Sequence, residues 1–498
     1  MGVIIRQSIK GTIVNYVGAF IGFLSTMFIV TSLLSQEVIG LTTVLRDAAM
    51  LFSGFAQLGI TASAVRFFPY FKDEAKRNNG FFFYLMAVPF VGLLIFIPVL
   101  MLLRDPVSEY FEASPLFLEY YNWLIPLVCF LTYWVTFESY ASVMLRIAVP
   151  KVIRDIVWRL LLIVVYCLYA FGWVDLTGFV TCYVLAYGVS MAIAFFYVSR
   201  IAPVSLKRDR TFVGKPLRKN FLSYTSILLI GSLGASIVGK IDIFMLTSVS
   251  GLVSTSIYAI AWNMATIVEI PARSISAVSS PLAADALARG DSDKVNRLYK
   301  QVSLHQLLIG SMIFLLIWFN IDNIYDIMPN GDNFREGKWV VLFIGIGKLI
   351  EVTFSFGSNL ISYSRYYHWG LYFVFFISGL AIFTNNWLIP IFGVSGAAIA
   401  TMISTFVSFS LQQCLIFTKL KSNPFSMGTV KLFVVILLLC GLNVLLPEIR
   451  NPWIDGIYRS LVVVPAGVML IYFFRISDPL NAMADQVWRV ALGKIKRK

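Results

Sequence analysis

Charge is scarce in this chain. Asp, Glu, Lys and Arg make up 13% of its 498 residues, about half the share usual in a soluble domain. Only two histidines and five cysteines occur. Their spacing offers neither a metal site nor a disulfide framework. Cys129, Cys167, Cys182, Cys414 and Cys440 all fall within apolar runs, where a free cysteine packs as a small hydrophobe. His305 begins a helix and His368 sits in a loop, each without a histidine or cysteine neighbour. Motifs of soluble enzymes are missing too. No G-x-x-x-x-G-K-[ST], HExxH, GxSxG or CxxC pair appears, so nucleotide hydrolysis by a P-loop is excluded. No cofactor follows, and any energy source is an H+ or Na+ gradient, a coupled biosynthetic flux or a partner.

What is present is hydrophobic length. Apolar residues are 58% of the chain. They come as runs of about 20 residues, the length at which a helix crosses the roughly 30 Å hydrocarbon core. Unpaired backbone groups are not tolerated in lipid, so each run is a helix. The reading gives about fourteen spans: 8–34, 37–66, 80–103, 116–145, 154–173, 177–199, 221–247, 249–275, 302–320, 338–363, 369–388, 391–417, 431–446 and 457–475. The longest breaks, 200–220 and 276–301, are too short for a folded extramembrane domain. The first run is too long for the core of a signal peptide, so it reads as a permanent helix. The fold class is therefore all-α integral membrane.

The net charge of +14 would suggest nucleic acid in a soluble protein. Here it sorts by loop. With the N-terminus inside, inner loops and tails hold 32 of the 40 cations, outer breaks hold five (Arg104, Arg335, Lys338, Arg450, Arg459), and three lie within spans. Cytoplasmic loops collect Lys and Arg, so both termini face the cytoplasm and the helix number is even. No nucleic-acid partner is implied.

The basic break RIAPVSLKRDRTFVGKPLRKN divides six helices from eight. A connector of this kind suits a transporter built from two six-helix halves. The expected organisation is an N-lobe at 1–199, a cytoplasmic connector at 200–220, a C-lobe at 221–417, a peripheral two-helix hairpin at 418–475 and a basic tail at 476–498. The second and eighth spans share a faint pattern, ending in small residues before a basic loop. In the tail Leu480, Met483, Val487, Val490 and Leu492 mark one apolar face, as in an interfacial helix held to anionic membrane lipids. Gly18 and Gly22 are one of several small-residue pairs that let membrane helices approach closely.

An ionisable group within a membrane helix costs at least about 2.5–3.5 kcal/mol on insertion scales and normally faces protein or water. Three cations stand out: Arg46, Lys240 and Lys348. Counted from the outer ends of their spans they lie about 10–15 Å deep at 1.5 Å per residue. Acidic neighbours accompany them. Glu351 follows Lys348 by three positions and shares its helix face. Asp47 and Asp242 are one and two positions from a cation, a poor intrahelical spacing better suited to pairing between helices. Glu269 and Arg273 form an i,i+4 pair around Pro271, and Glu138 lies in the fourth span. Two readings stay open: ion pairs that fix helix packing, or an anion-binding or ion-coupling cavity.

Longer stretches add a resemblance. SIKGTIVNYVGAFIGFLSTMFIVTSLLSQEVIGL, LGITASAVRFFPYFKDE, KIDIFMLTSVSGLVSTSIYAIAWNMATIVEIPARSISAVSSPLAAD and GVSGAAIATMIS resemble the polysaccharide transporter branch of the multidrug/oligosaccharidyl-lipid/polysaccharide (MOP) exporter superfamily, the Wzx-type O-antigen and capsule-unit flippases. The resemblance covers nearly the whole chain. It implies two MATE-like lobes around a central cavity plus two peripheral helices, in a bacterial inner membrane. It implies an undecaprenyl-pyrophosphate-linked oligosaccharide cargo moved outward by alternating access, with polysaccharide polymerase or chain-length proteins as partners and no catalytic residue. Cavity cations for the pyrophosphate are carried by position onto Arg46, Lys240 and Lys348; Asp47, Asp242, Glu269 and Glu351 are the pairing or ion-coupling candidates. The alternatives are a drug or cation antiporter of the same fold, a membrane-embedded polymerase or ligase, for which the outer breaks are short, and a scaffold or scramblase.

Overall fold

The computed structural model describes residues 14, 16–73, 77–202, 204–207, 234, 237, 239–477, 479, 481–482 and 485. Arg6, Lys10, Asn15, most of the basic connector and of the seventh expected span, and nearly all of the tail lie outside them.

Every regular element among the described residues is helical. The principal helices are α1 (Tyr16–Leu33), α2 (Gln36–Ala56), α3 (Ile60–Phe71), α4 (Phe81–Leu102), α5 (Leu124–Val143), α6 (Trp158–Ala170), α7 (Leu176–Ile201), α8 (Ile241–Ala265), α9 (Ile270–Ala288), α10 (Ser292–Phe319), α11 (Lys338–Tyr363), α12 (Trp369–Leu415), α13 (Met427–Leu445) and α14 (Pro452–Phe473). Their starts follow from capping chemistry, in which a short polar side chain accepts from an orphan N–H of the first turn. Ser35 caps α2 through the Val38 amide, Asp175 caps α7 through Gly178 at 2.8 Å, and Asp291 caps α10 through Lys294 at 2.9 Å. Hydroxyls inside the helices turn back onto their own backbone. Thr136 donates to Thr132 O at 2.7 Å and Thr247 to Ile243 O at 2.6 Å, so apolar surroundings leave them no unpaired proton.

Among the described residues, eleven helices are long and apolar enough to cross a membrane, against about fourteen spans expected over the whole sequence. The differences are local. The expected span 154–173 is a helical run over 148–170 with a π-turn at Ile153–Val157, which cuts the regular stretch short. The spans 369–388 and 391–417 run together as α12, with Gly393 at φ 54° breaking the path. The break expected at 276–301 is almost entirely helix, because α9 continues to Ala288 and α10 starts at Ser292 behind its Asp291 cap. His305 consequently sits well inside α10 rather than at its start.

The chain forms two compact units, 1–260 with 378–397, and 261–377 with 398–498. This grouping by packing differs from the expected lobes, since 240–260 joins the first unit. Close backbone approach explains why. A Cβ on Gly40 of α2 would overlap the Leu252 carbonyl of α8, and the Ser114 hydroxyl donates to Thr247 O at 2.9 Å. Elsewhere in this unit α5 is the central helix. Its Tyr140 packs among Phe68, Phe81 and Phe82, while Trp134 meets Trp158 of α6 and Tyr187 of α7. The second unit has two apolar cores. One lies around Tyr299, Phe356 and Leu360, and the other joins α10 to α13 and α14 around Leu308, Leu432 and Val463. Phe20, Phe90, Leu94, Phe196 and Phe383 are among many large apolar side chains left exposed, a surface that suits acyl chains.

Candidate functional site

The first unit gathers charge around Asp47. Its side chain is fully buried, and Oδ1 accepts from Arg46 Nε at 3.1 Å and from Lys240 Nζ at 3.0 Å. Arg46 therefore does reach its sequence neighbour: its long side chain folds back across a spacing that looked unfavourable. Lys240, from the segment before α8, supplies the pairing between helices. Asp47 Oδ2 is buried and accepts no hydrogen bond among the described residues. Two cations on one carboxylate leave one positive charge over, and both side chains remain about one-third exposed at 31%. Tyr183 and Tyr187 of α7 close the site. Their hydroxyls lie 3.3 Å apart, and Tyr183 donates to Thr42 O of α2.

Asp242 meets a tyrosine of its own helix. It lies buried under the Tyr258 hydroxyl, which donates to Oδ2, and Oδ1 accepts from the Ile243 amide at 3.0 Å. Tyr258 stands beyond Gly251, where φ is 78° and the helix path breaks. Asp242 thus clasps the two halves of α8, a structural role that its two-residue distance from Lys240 did not disclose.

Lys348 belongs to the second unit. Its Nζ lies 2.8 Å from Glu351 Oε2 and 3.6 Å from Glu269 Oε2. It also stands 5.2 Å from the centroid of the Trp262 ring, within cation–π range. Glu269 sits at the end of a 3₁₀ turn, Thr266–Glu269, just ahead of Pro271. From there it reaches both Lys348 and the exposed Arg273, the latter at 3.0 Å. With Arg273 on Glu269, the Lys348 cluster holds two cations and two carboxylates, where the Asp47 cluster holds two cations and one. Glu138 pairs with Arg154 at 2.7 Å. Arg459, counted as an outer-loop cation, is buried in α14 on Asp455 at 2.6 Å and Asn443 at 3.0 Å. Sequence reasoning missed Tyr183, Tyr187 and Trp262. Two tyrosines four positions apart in an apolar helix were the available signal for the first pair.

Among family models, one described as polysaccharide biosynthesis protein matches residues 5–287, more than half of the chain.

The chain belongs to the polysaccharide biosynthesis protein family.

A second model, MatE, matches residues 228–388. The fold is that of the MOP superfamily. Among solved structures, a lipid II flippase in its inward closed conformation matches with TM-score 0.71 and 14% identity, over 95% of this chain and 98% of that one. An inward-facing multidrug resistance MATE family transporter matches with TM-score 0.58 and 15% identity, over 81% and 95%. A MOP superfamily transporter from Pyrococcus furiosus, described by the reverse polarity of its binding pocket, matches with TM-score 0.54 and 15% identity, over 84% and 96%. At these identities the likeness is one of fold. An uncharacterized membrane protein of Methanocaldococcus jannaschii is 24% identical over 231 residues, 46% of this chain and 45% of that protein. The match thus spans under half the length of that relative. This member of the family is a multi-pass membrane protein.

Proposed function

We propose that the protein is a flippase that carries an undecaprenyl-pyrophosphate-linked oligosaccharide repeat unit from the cytoplasmic to the periplasmic leaflet of a bacterial inner membrane, for O-antigen, capsule or exopolysaccharide assembly. The observation that carries the reading is the excess of positive charge at Asp47, where Arg46 and Lys240 share a single carboxylate oxygen. A diphosphate moved through a low-dielectric interior needs counter-charge and charge-assisted donors. A site of net positive charge supplies both and repels a cationic drug. The polysaccharide biosynthesis family and the fold shared with a lipid II flippase support the cargo class.

The lobes would be 1–199 and 221–417 within a fourteen-helix plan, with 418–475 peripheral, 476–498 on the inner surface and both termini cytoplasmic. Rocking of the lobes gives alternating access. The Asp47–Lys240 pair joins segments on either side of that division, so it parts when the outer side opens. The freed Lys240 is then available to the cargo, with Arg46 still beside Asp47.

The second cluster favours a second role. Glu269 and Glu351 stand together on Lys348, and such a pair of carboxylates suits an H+ or Na+ that couples transport; in an antiporter of this fold the same group would take a cationic substrate. A deletion strain separates the cases. It should accumulate the inner-leaflet lipid-linked unit and lose surface glycan, and Arg46→Ala or Lys240→Ala should fail to restore it. Full restoration by both variants would remove the cation role and favour the antiporter.

A further inference from the structure

A fourth cation near Arg46 has no carboxylate of its own among the described residues. Arg159 lies in the first turn of α6. Its charged neighbours are Asp155, Arg154 and Arg46. Asp155 is already held by Arg154 at 3.2 Å, and Arg154 also holds Glu138 at 2.7 Å. Asp47 is taken by Arg46 and Lys240. Four cations thus face three carboxylates, and Arg159 is the one left over. One guanidinium nitrogen of Arg159 is buried and donates to nothing among the described residues. The indole N–H of its neighbour Trp158 is buried and unmatched as well. Consecutive residues therefore each carry a buried donor without an acceptor, a state that costs about 1–3 kcal/mol per group and more for a charged one.

The backbone of α1 is shaped around this side chain. A Cβ at Gly22 would overlap the Arg159 guanidinium, and one at Gly18 would press on Asp155. Both glycines serve more than close helix packing: the first leaves the room that the guanidinium occupies. Counted at 1.5 Å per residue from Ala170 and from Gln36, Arg159 and Arg46 lie about 15–17 Å below the same end of the unit. Trp134 and Tyr187 wall the Trp158 side at ring separations of 6.3 and 5.3 Å.

We infer that Arg159 is a binding residue for a phosphate-type oxyanion, and that its ligand is the diphosphate of the lipid-linked cargo. An oxyanion presents several acceptors to an unmatched fork of donors, which is the recognition Arg performs and Lys does not. The inference rests on the flippase reading for its cargo, while the anion site stands on its own geometry. An anionic phospholipid headgroup offers the same chemistry, so the test must separate the two sources.

The experiment uses the full chain in phosphatidylcholine nanodiscs, with geranyl diphosphate as probe and isothermal titration as readout. Wild-type protein should bind it with an affinity that falls as salt rises. Arg159→Gln should weaken binding at least about tenfold. Arg159→Lys should recover only part of that loss. Gly22→Ala, which keeps every charge but takes the guanidinium's room, should weaken binding several-fold. Thermal unfolding of each variant identifies any that misfold. Wild-type affinity in a folded Arg159→Gln protein would overturn the proposal. A loss of probe binding when phosphatidylglycerol replaces phosphatidylcholine, with Arg159 required for the competition, would overturn the cargo assignment in favour of lipid. Arg159-dependent probe binding alongside normal surface glycan in the deletion strain would sink the flippase reading and leave the anion site standing. Arg159-independent binding with glycan lost would do the reverse.

Discussion

At the scale of single residues, the burial of Asp47 makes it the most exacting position in the first unit. Removing one partner of a buried ion pair leaves the other uncompensated, at a cost on the order of 3–5 kcal/mol. Asp47→Ala takes the acceptor from both Arg46 and Lys240, and water at their one-third exposed side chains offsets part of that cost. The expected outcome is a strongly lowered unfolding temperature in detergent, with Asp47→Asn milder because the amide oxygen still accepts. Lys240→Ala should be close to neutral for stability, since Arg46 remains on Asp47, and yet abolish transport. A near-wild-type melting curve for Asp47→Ala would show that the cluster is not what holds these helices. At Arg459 the logic is structural alone. Arg459→Ala strips Asp455 of its 2.6 Å partner and frees Asn443, and loss of folded yield without any change in cargo binding is the expected result.

At the scale of helices, the glycines of close approach were visible as letters but not as contacts. Gly40 reads as one small residue among many, and only the fold puts the Leu252 carbonyl against it. Gly40→Leu should cost about 1–3 kcal/mol by overpacking, readable as a drop in unfolding temperature, whereas the same change at Gly379, which has open space around it, should leave stability unchanged. Apolar run length carried most of the element pattern in the sequence, because the lipid thickness fixes it. What hydropathy could not locate were the interruptions. The π-turn at Ile153–Val157 and the positive φ of Gly393 alter backbone path without altering composition. The polar stretch 292–301 is helical for a different reason, an Asp291 cap, and a hydropathy window reads it as a loop. The site was legible in its residue types and incomplete in its pairings. Glu351 lay three positions from Lys348, a helical spacing that predicts their contact. The meeting of Asp47 with Lys240 depends on segments far apart in sequence, and that of Asp242 with Tyr258 on a break in the helix path between them.

At the scale of the whole molecule, two charge clusters, one with an excess cation and one with paired carboxylates, divide the proposed work between cargo and coupling ion. Glu269→Gln and Glu351→Gln should slow transport while leaving diphosphate binding intact, and they should blunt the response to an ionophore that collapses the gradient. Binding lost with transport in either variant would place that carboxylate in the cargo path instead. The second cluster also contains its own optical probe. Trp262 has a cation 5.2 Å above its ring, and indole emission is sensitive to a nearby charge. A chain keeping Trp262 and carrying phenylalanine at its other tryptophans would brighten or dim each time Lys348 trades one glutamate for another, so the turnover of a colourless lipid could be timed from the light of one native side chain.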